Sequence, residues 1–285
     1  MLRKWHIGLI IGLLSCVMPA ANAASAQPER AGSAALAEGA VTVTGSDGSQ
    51  RALHDGDSVF AGDTITTGSA SYADLDLEDG GRVLLRPGTT FNIEQFHFDA
   101  EAHDANASAT RSETPASADT ENGESAIFRL IKGGLRAIDG LIGQTHPQSY
   151  AMKTPVATIG IRGTEYDVRY CDSNCQDESE NGSVPDNGLY TAVSQGAIGI
   201  QTETGVSVVN KGGYGFLAGR HMKFRRLNRL PRALQHMALP ARFRARADRM
   251  RKLIRERRAR RWKALRARRH RSGRRLRRRY QIGGG

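Results

Sequence analysis

From Gly39 to about Gly219 the chain alternates apolar and polar residues with a period of two, in short runs that glycine, aspartate or asparagine interrupts every 8–12 residues or so. Val41 and Val43 alternate with threonines before Asp47-Gly48. Ala73, Leu75 and Leu77 alternate with Asp74, Asp76 and Glu78 before Asp79-Gly80-Gly81, and Val83 and Leu85 lead to Pro87-Gly88. Phe91, Ile93 and Phe96 follow, then Phe128 and Leu130, Tyr150 and Met152, Ile159 and Ile161, Tyr166 and Val168, and the runs Tyr190–Val193, Ile198–Ile200 and Val206–Val209. Successive side chains of a strand point to opposite faces, so this texture predicts an all-β fold of short, half-buried antiparallel strands. Pattern leaves open whether they form a solenoid-like roll or a β-sandwich. The alternating carboxylates of residues 72–79 read as a solvated face, and Leu135–Ile142 reads as either strand or loop.

The segments on either side differ in kind. Arg3 and Lys4, an apolar stretch from Ile7 to Val17 and the small residues Ala21-Asn22-Ala23 have the layout of a signal peptide over residues 1–23. The stretch falls short of the roughly 20 residues a spanning helix needs, so a periplasmic or secreted protein is expected, soluble or peripheral after processing. Leu13-Leu14-Ser15-Cys16 loosely resembles a lipoprotein box that would acylate Cys16, although Leu14 fits it poorly. Residues 24–38 read as a flexible lead-in, residues 39–219 as the β domain, and residues 99–125, nearly devoid of large apolar side chains, as a disordered insertion. Phe243, Ala247, Met250 and Ile254 recur at helical spacing within the last segment, residues 220–285, which reads as a basic tail, helical or disordered, with a stripe too thin to build a core.

Beyond the leader, two cysteines remain, Cys171 and Cys175, in an acidic loop. Disulfides persist in exported compartments, so a local disulfide is the leading expectation. A redox pair would more typically be C-x-x-C, and a zinc site needs two further ligands.

The net charge of +12 conceals two opposed parts. From Arg220 to Arg279 there are 27 Lys and Arg against Asp248 and Glu256, a balance of +25; with Arg3 and Lys4 set aside, residues 24–219 carry −15. Arginine dominates the tail, and its guanidinium makes two-point contacts with phosphate and carboxylate. Arg257, Arg258, Arg260, Arg261, Arg268, Arg269, Arg274 and Arg275 are therefore the candidates for binding an anionic surface: lipid phosphate, lipopolysaccharide, an acidic polymer or an acidic protein. Nucleic acid would bind such a tail by counterion release, a role that export makes secondary. The tail is also expected to attract its own acidic domain.

The β region resembles the FecR domain family. The resemblance rests on Gly39-Ala40-Val41, Asp47-Gly48, Gly56-Asp57, Gly62-Asp63-Thr64-Ile65-Thr66-Thr67-Gly68, Asp79-Gly80, Lys132-Gly133-Gly134-Leu135-Arg136 and Thr154-Pro155-Val156-Ala157-Thr158-Ile159-Gly160-Ile161-Arg162-Gly163-Thr164-Glu165-Tyr166-Asp167-Val168, in that order. It implies an extracytoplasmic all-β domain used in signalling. The best-known members look like iron-responsive regulators that relay a signal from an outer-membrane transporter to an anti-sigma segment. The cytoplasmic helical segment and internal transmembrane helix of such a relay are missing from the pattern, so a periplasmic binding module is the expected carry-over.

Of the motif residues, Gly62, Asp63 and Thr64 read as a turn in which aspartate caps neighbouring amides, and Thr154-Pro155 reads as a strand start or edge. Arg162, beside Gly163 and Thr164, either holds backbone carbonyls through its five donors or faces a partner's carboxylate; the structural role is the working expectation. Catalysis finds little support. His54, His97, His103, His146, His221, His236 and His270 have no metal-ligand spacing, and G-x-S-x-G, H-E-x-x-H and phosphate-loop motifs are missing. The acidic run Asp172–Asp186 lacks the ordered calcium-loop pattern. The expectation is a FecR-type sensing, binding or scaffolding protein of the envelope with neither metal nor cofactor. The alternative is a polyanion-binding protein, for envelope polymers or nucleic acid, whose activity lies wholly in the tail.

Overall fold

The computed structural model describes residues 28–99, 123–175 and 184–235, together with Ala241, Phe243, Ala245 and Arg246. The leader with Cys16, most of the insertion, part of the acidic cysteine loop and the tail beyond Arg246 lie outside the described residues. Fifteen strands form one mixed sheet, so the fold is all-β. They are β1 (Arg30–Glu38), β2 (Val41–Thr44), β3 (Gln50–Ala52), β4 (Ser58–Phe60), β5 (Thr64–Thr67), β6 (Tyr72–Leu77), β7 (Arg82–Leu85), β8 (Thr90–His97), β9 (Ser125–Ile138), β10 (Tyr150–Lys153), β11 (Thr158–Cys171), β12 (Gly188–Thr202), β13 (Gly205–Asn210), β14 (Tyr214–Leu217) and β15 (Arg225–Leu227). Two short α-helices, α1 (Leu141–Thr145) and α2 (Arg232–Gln235), a 3-10 turn at Pro147–Ser149 and the helical residues Ala241, Phe243, Ala245 and Arg246 are the other described elements.

Three long strands, β9, β11 and β12, serve two ladders each. In one ladder β3, β2, β5 and β8 lead to the first half of β9, then β10, the first half of β11, the second half of β12, and β13. In the other, β4, β1, β6 and β7 lead to the second half of β9, the second half of β11, the first half of β12, β14 and β15. The described pairings are antiparallel except β9 with β10. The ladders share one apolar core that includes Ile65, Phe91, Phe128 and Met152 from the first and Leu75, Leu85, Leu135 and Val168 from the second. This is a sheet that doubles back on itself, intermediate between the roll and the sandwich that the pattern allows. Its bends fall where side chains would collide. At Gly196 of β12, φ is 72°, and a Cβ would sit 2.3 Å from the Gly163 carbonyl oxygen at the bend of β11.

Two boundaries differ from the sequence reading. Residues 30–38, placed in a flexible lead-in, form β1 between β4 and β6. Their Ala, Ser and Gly composition reflects close packing: a Cβ on Gly32 would lie 2.2 Å from the Asp76 carbonyl oxygen. The fold also continues past Gly219, because β15 pairs with β14 and α2 buries Ala233 and Leu234 in a cluster with Tyr190, Phe216 and the two cysteines. Six arginines and lysines assigned to the tail, Arg220 to Arg232, thus belong to the folded region. Arg220 donates to the Pro155 carbonyl at 3.0 Å, Arg226 to that of Val208 at 3.0 Å, and Arg225 lies over the Phe216 ring. The ambiguous stretch Leu135–Ile142 is strand as far as Ile138 and enters α1 at Leu141. Among the described residues no helix is long and apolar enough to cross a membrane.

Candidate functional site

The motif residues are brought to separate places and act on the backbone. In the turn before β5, the Asp63 carboxylate accepts from the Phe60 amide at 3.0 Å and from Arg51 at 3.2 Å, while the Gly62 amide donates to Ile93. Burial raises the Asp63 carboxyl above its ordinary value, opposed by the Phe60 amide and Arg51. Thr64 accepts from Asn92 at 2.9 Å. Thr154 Oγ1 closes the β10–β11 turn through Pro155, donating to the Ala157 carbonyl at 2.8 Å and accepting from the Ala157 amide at 3.0 Å. Thr164 Oγ1 accepts from the Arg162 amide at 2.9 Å and donates to the Ala197 carbonyl at 2.8 Å, so it bridges the β11–β12 bend beside Gly163. The bridging role considered for Arg162 therefore belongs to Thr164, because its short hydroxyl reaches both strands. The Arg162 residue itself is exposed. Cys171 and Cys175 form a disulfide at the end of β11. The eight candidate arginines from Arg257 to Arg275 lie outside the described residues.

A different set of side chains converges. Period two points Arg136 of β9 and Asp167 of β11 to the same side of neighbouring strands, where they are directly paired in register. Asp167 accepts from Arg136 at 2.7 Å and from Arg86, in the turn after β7, at 2.7 Å. Glu165 lies 3.8 Å from Arg136. Burial holds the Arg86 guanidinium below its ordinary value, although Asp167 works against it. Burial also acts to lower Arg136, but Asp167 and Glu165 raise it overall. Arg136 and Asp167 then form one wall of an open cleft of about 380 Å³, with Ser194, Lys211 and Tyr214 as further polar lining and Ala192, Val193, Leu230 and Leu234 as apolar lining. Asp167 is matched by two arginines, and among the described residues Lys211 has no carboxylate in an ion pair with it, so it is the cation that the lining can offer. Such a cleft can receive a small carboxylate or an acidic side chain over its apolar floor. No group of three or more potential metal ligands occurs among the described residues.

Sequence reasoning passed over this cluster although Arg136 and Asp167 stand inside the quoted motifs. The available signal was charge at strand positions flanked by apolar residues; what hid it is that Arg86 and Asp167 are 81 positions apart.

Residues 63–185 match the family model described as FecR protein. Among solved structures, two crystal structures of a "putative anti-sigma factor" from Parabacteroides distasonis align at 11% identity and a TM-score of 0.39. The alignment covers 58% of this chain and 59% of that one, so this chain spans about three fifths of that protein's length. No curated protein matches.

Proposed function

We propose that this is an exported, non-catalytic FecR-type protein whose β domain senses or scaffolds by binding an envelope partner, while its arginine-rich tail attaches to an anionic surface. The observation that carries the reading is the division of charge: a −15 chain segment containing the FecR domain is joined to a +25 segment. Near an anionic membrane each basic side chain contributes about 1 kcal/mol, so engagement of part of the tail suffices for attachment that salt reverses. The cleft beside Arg136 and Lys211 supplies the domain with a place for an acidic group of the partner.

The test compares residues 24–285 with a chain ended after Arg246, which keeps β15 and α2. Both are sedimented with phosphatidylglycerol vesicles across a salt series. The full chain is expected to bind at low salt and to detach steeply as salt rises, and the shortened chain to stay in solution. Equal binding by both chains would remove the tail from the proposal. Crosslinking of the shortened chain in an envelope fraction at high salt then reads the domain's own partner; its absence there would leave a tail-only polyanion binder.

A further inference from the structure

The carboxylates of β6 do not form a solvated face. Ala73, Leu75 and Leu77 enter the core, and Tyr72, Asp74 and Asp76 lie on the opposite side, as period two requires. Yet Asp74 is 0% exposed. Two things cover it. Arg82 of β7, which is paired in register with Asp76, reaches diagonally to bind both oxygens of Asp74. From outside, residues 170 positions later in the chain are laid across the strand: Phe243, itself 0% exposed, packs with Leu84, Leu36 and Tyr72, its ring centroid 5.5 Å from that of Tyr72. Arg246 donates through Nε to Asp74 at 3.1 Å and through Nη2 to Asp76. Ala241, Phe243, Ala245 and Arg246 are helical, and three residues bring Phe243 and Arg246 to one helix face. The contact has an apolar half and an ionic half, each with a matched receptor on β6.

We propose that the Tyr72–Asp74–Asp76 face of β6 is a receptor site for a short helical segment bearing an aromatic residue and an arginine one turn apart, occupied in this chain by residues 241–246. The acidic domain thereby binds the start of its own basic tail at a defined place rather than by general charge attraction. A partner presenting the same aromatic-arginine pair competes with Phe243 and Arg246 for this face. This holds whether or not the chain is exported.

A fluorescein-labelled 12-residue peptide of residues 238–249 tests the site by anisotropy against full-length residues 24–285. In the wild-type chain the segment in cis sits at an effective concentration in the range of millimolar, as for short tethers, so the peptide should bind poorly. A chain carrying Phe243→Ala and Arg246→Ala loses Arg246 alone and so keeps 26 of the 27 tail cations from Arg220 onward, and it should bind the peptide saturably and at least about tenfold more tightly, as release of the cis competitor requires. Peptides with Phe243→Ala or with Arg246→Ala should each lose about tenfold on that chain, and Asp76→Asn in the chain should do the same. The peptide variants leave the folding of the chain untouched. Equal peptide binding by the wild-type and substituted chains, no binding by either, or undiminished binding of the Phe243→Ala peptide would each overturn the proposal.

Discussion

Arg86, in the turn after β7, and Asp167, on β11, meet at 2.7 Å across a sequence separation of 81 residues, both nearly excluded from solvent. Arg136 completes the group from the solvent side. The pair ties the β6–β7 part of the sheet to the long central strands, and its desolvation is offset by two-sided hydrogen bonding to one carboxylate.

Removing that carboxylate leaves two guanidiniums facing one another. Asp167→Ala is therefore expected to destabilise the protein by about 3–5 kcal/mol, the range for breaking a buried pair on one side. Denaturant unfolding at neutral pH checks this, and a loss below about 1 kcal/mol would show that water or rearrangement replaces Asp167.

Tyr150 and Tyr166 share a hydrogen bond of 2.8 Å inside the core. Burial pushes both phenols above their ordinary value, Tyr150 well above it, and partial burial takes Tyr190 to about 12. Because the folded values exceed the unfolded value near 10, the folded state holds protons that the unfolded state releases above that pH. Stability is full below about pH 10 and falls as pH rises toward the folded values, by up to about 1.4 kcal/mol per pH unit for each tyrosine. Tyr166→Phe should flatten the alkaline slope of the unfolding midpoint; an unchanged slope would contradict the assignment.

Asp79 is buried at the turn after β6 and accepts from the Gly81 amide at 2.9 Å and the Ile142 amide at 3.4 Å. Burial raises its carboxyl, with those amides opposing. Its contribution is thus greatest below the unfolded value near 4 and is lost as pH rises through the folded value. Asp79→Asn keeps an acceptor and removes the charge, so its stability relative to wild type should improve between pH 4 and pH 7. Urea midpoints at those two pH values decide it, and a relative loss on going to pH 7 would count against the account.

The Cys171–Cys175 bridge closes a very short loop beside the cluster of Tyr190, Phe216 and α2. Loop-closure entropy for so few residues amounts to about 2 kcal/mol. The Cys171→Ser, Cys175→Ser double variant should lose about that much in denaturant, and reductant should lower the wild-type midpoint toward the variant's while leaving the variant unmoved.

Strand content was legible because it is local. The alternation of Val41 with Val43 and of Ala73 with Leu75 and Leu77 fixes both the strand and its core face without reference to the rest of the chain. The FecR resemblance was legible for a similar reason: its phrases are turns and bends, and Thr154 and Thr164 perform their hydrogen bonding within or beside those phrases. β1 was missed because its small residues lack an apolar period; they are strand-forming only where β6 approaches within contact of Gly32.

By itself, then, the sequence determined the all-β class, the positions of most turns, the cysteine pairing and the opposed charges of domain and tail, all properties set by neighbours in the chain or by composition. The tertiary structure alone decided which charges are buried. Asp74 reads as solvent-facing because its strand alternates, and it is enclosed because Arg82, Phe243 and Arg246 arrive from other parts of the chain. Asp167 meets Arg86 for the same reason. Burial of a charge depends on what the folded chain places over it, and no periodicity within a strand encodes that.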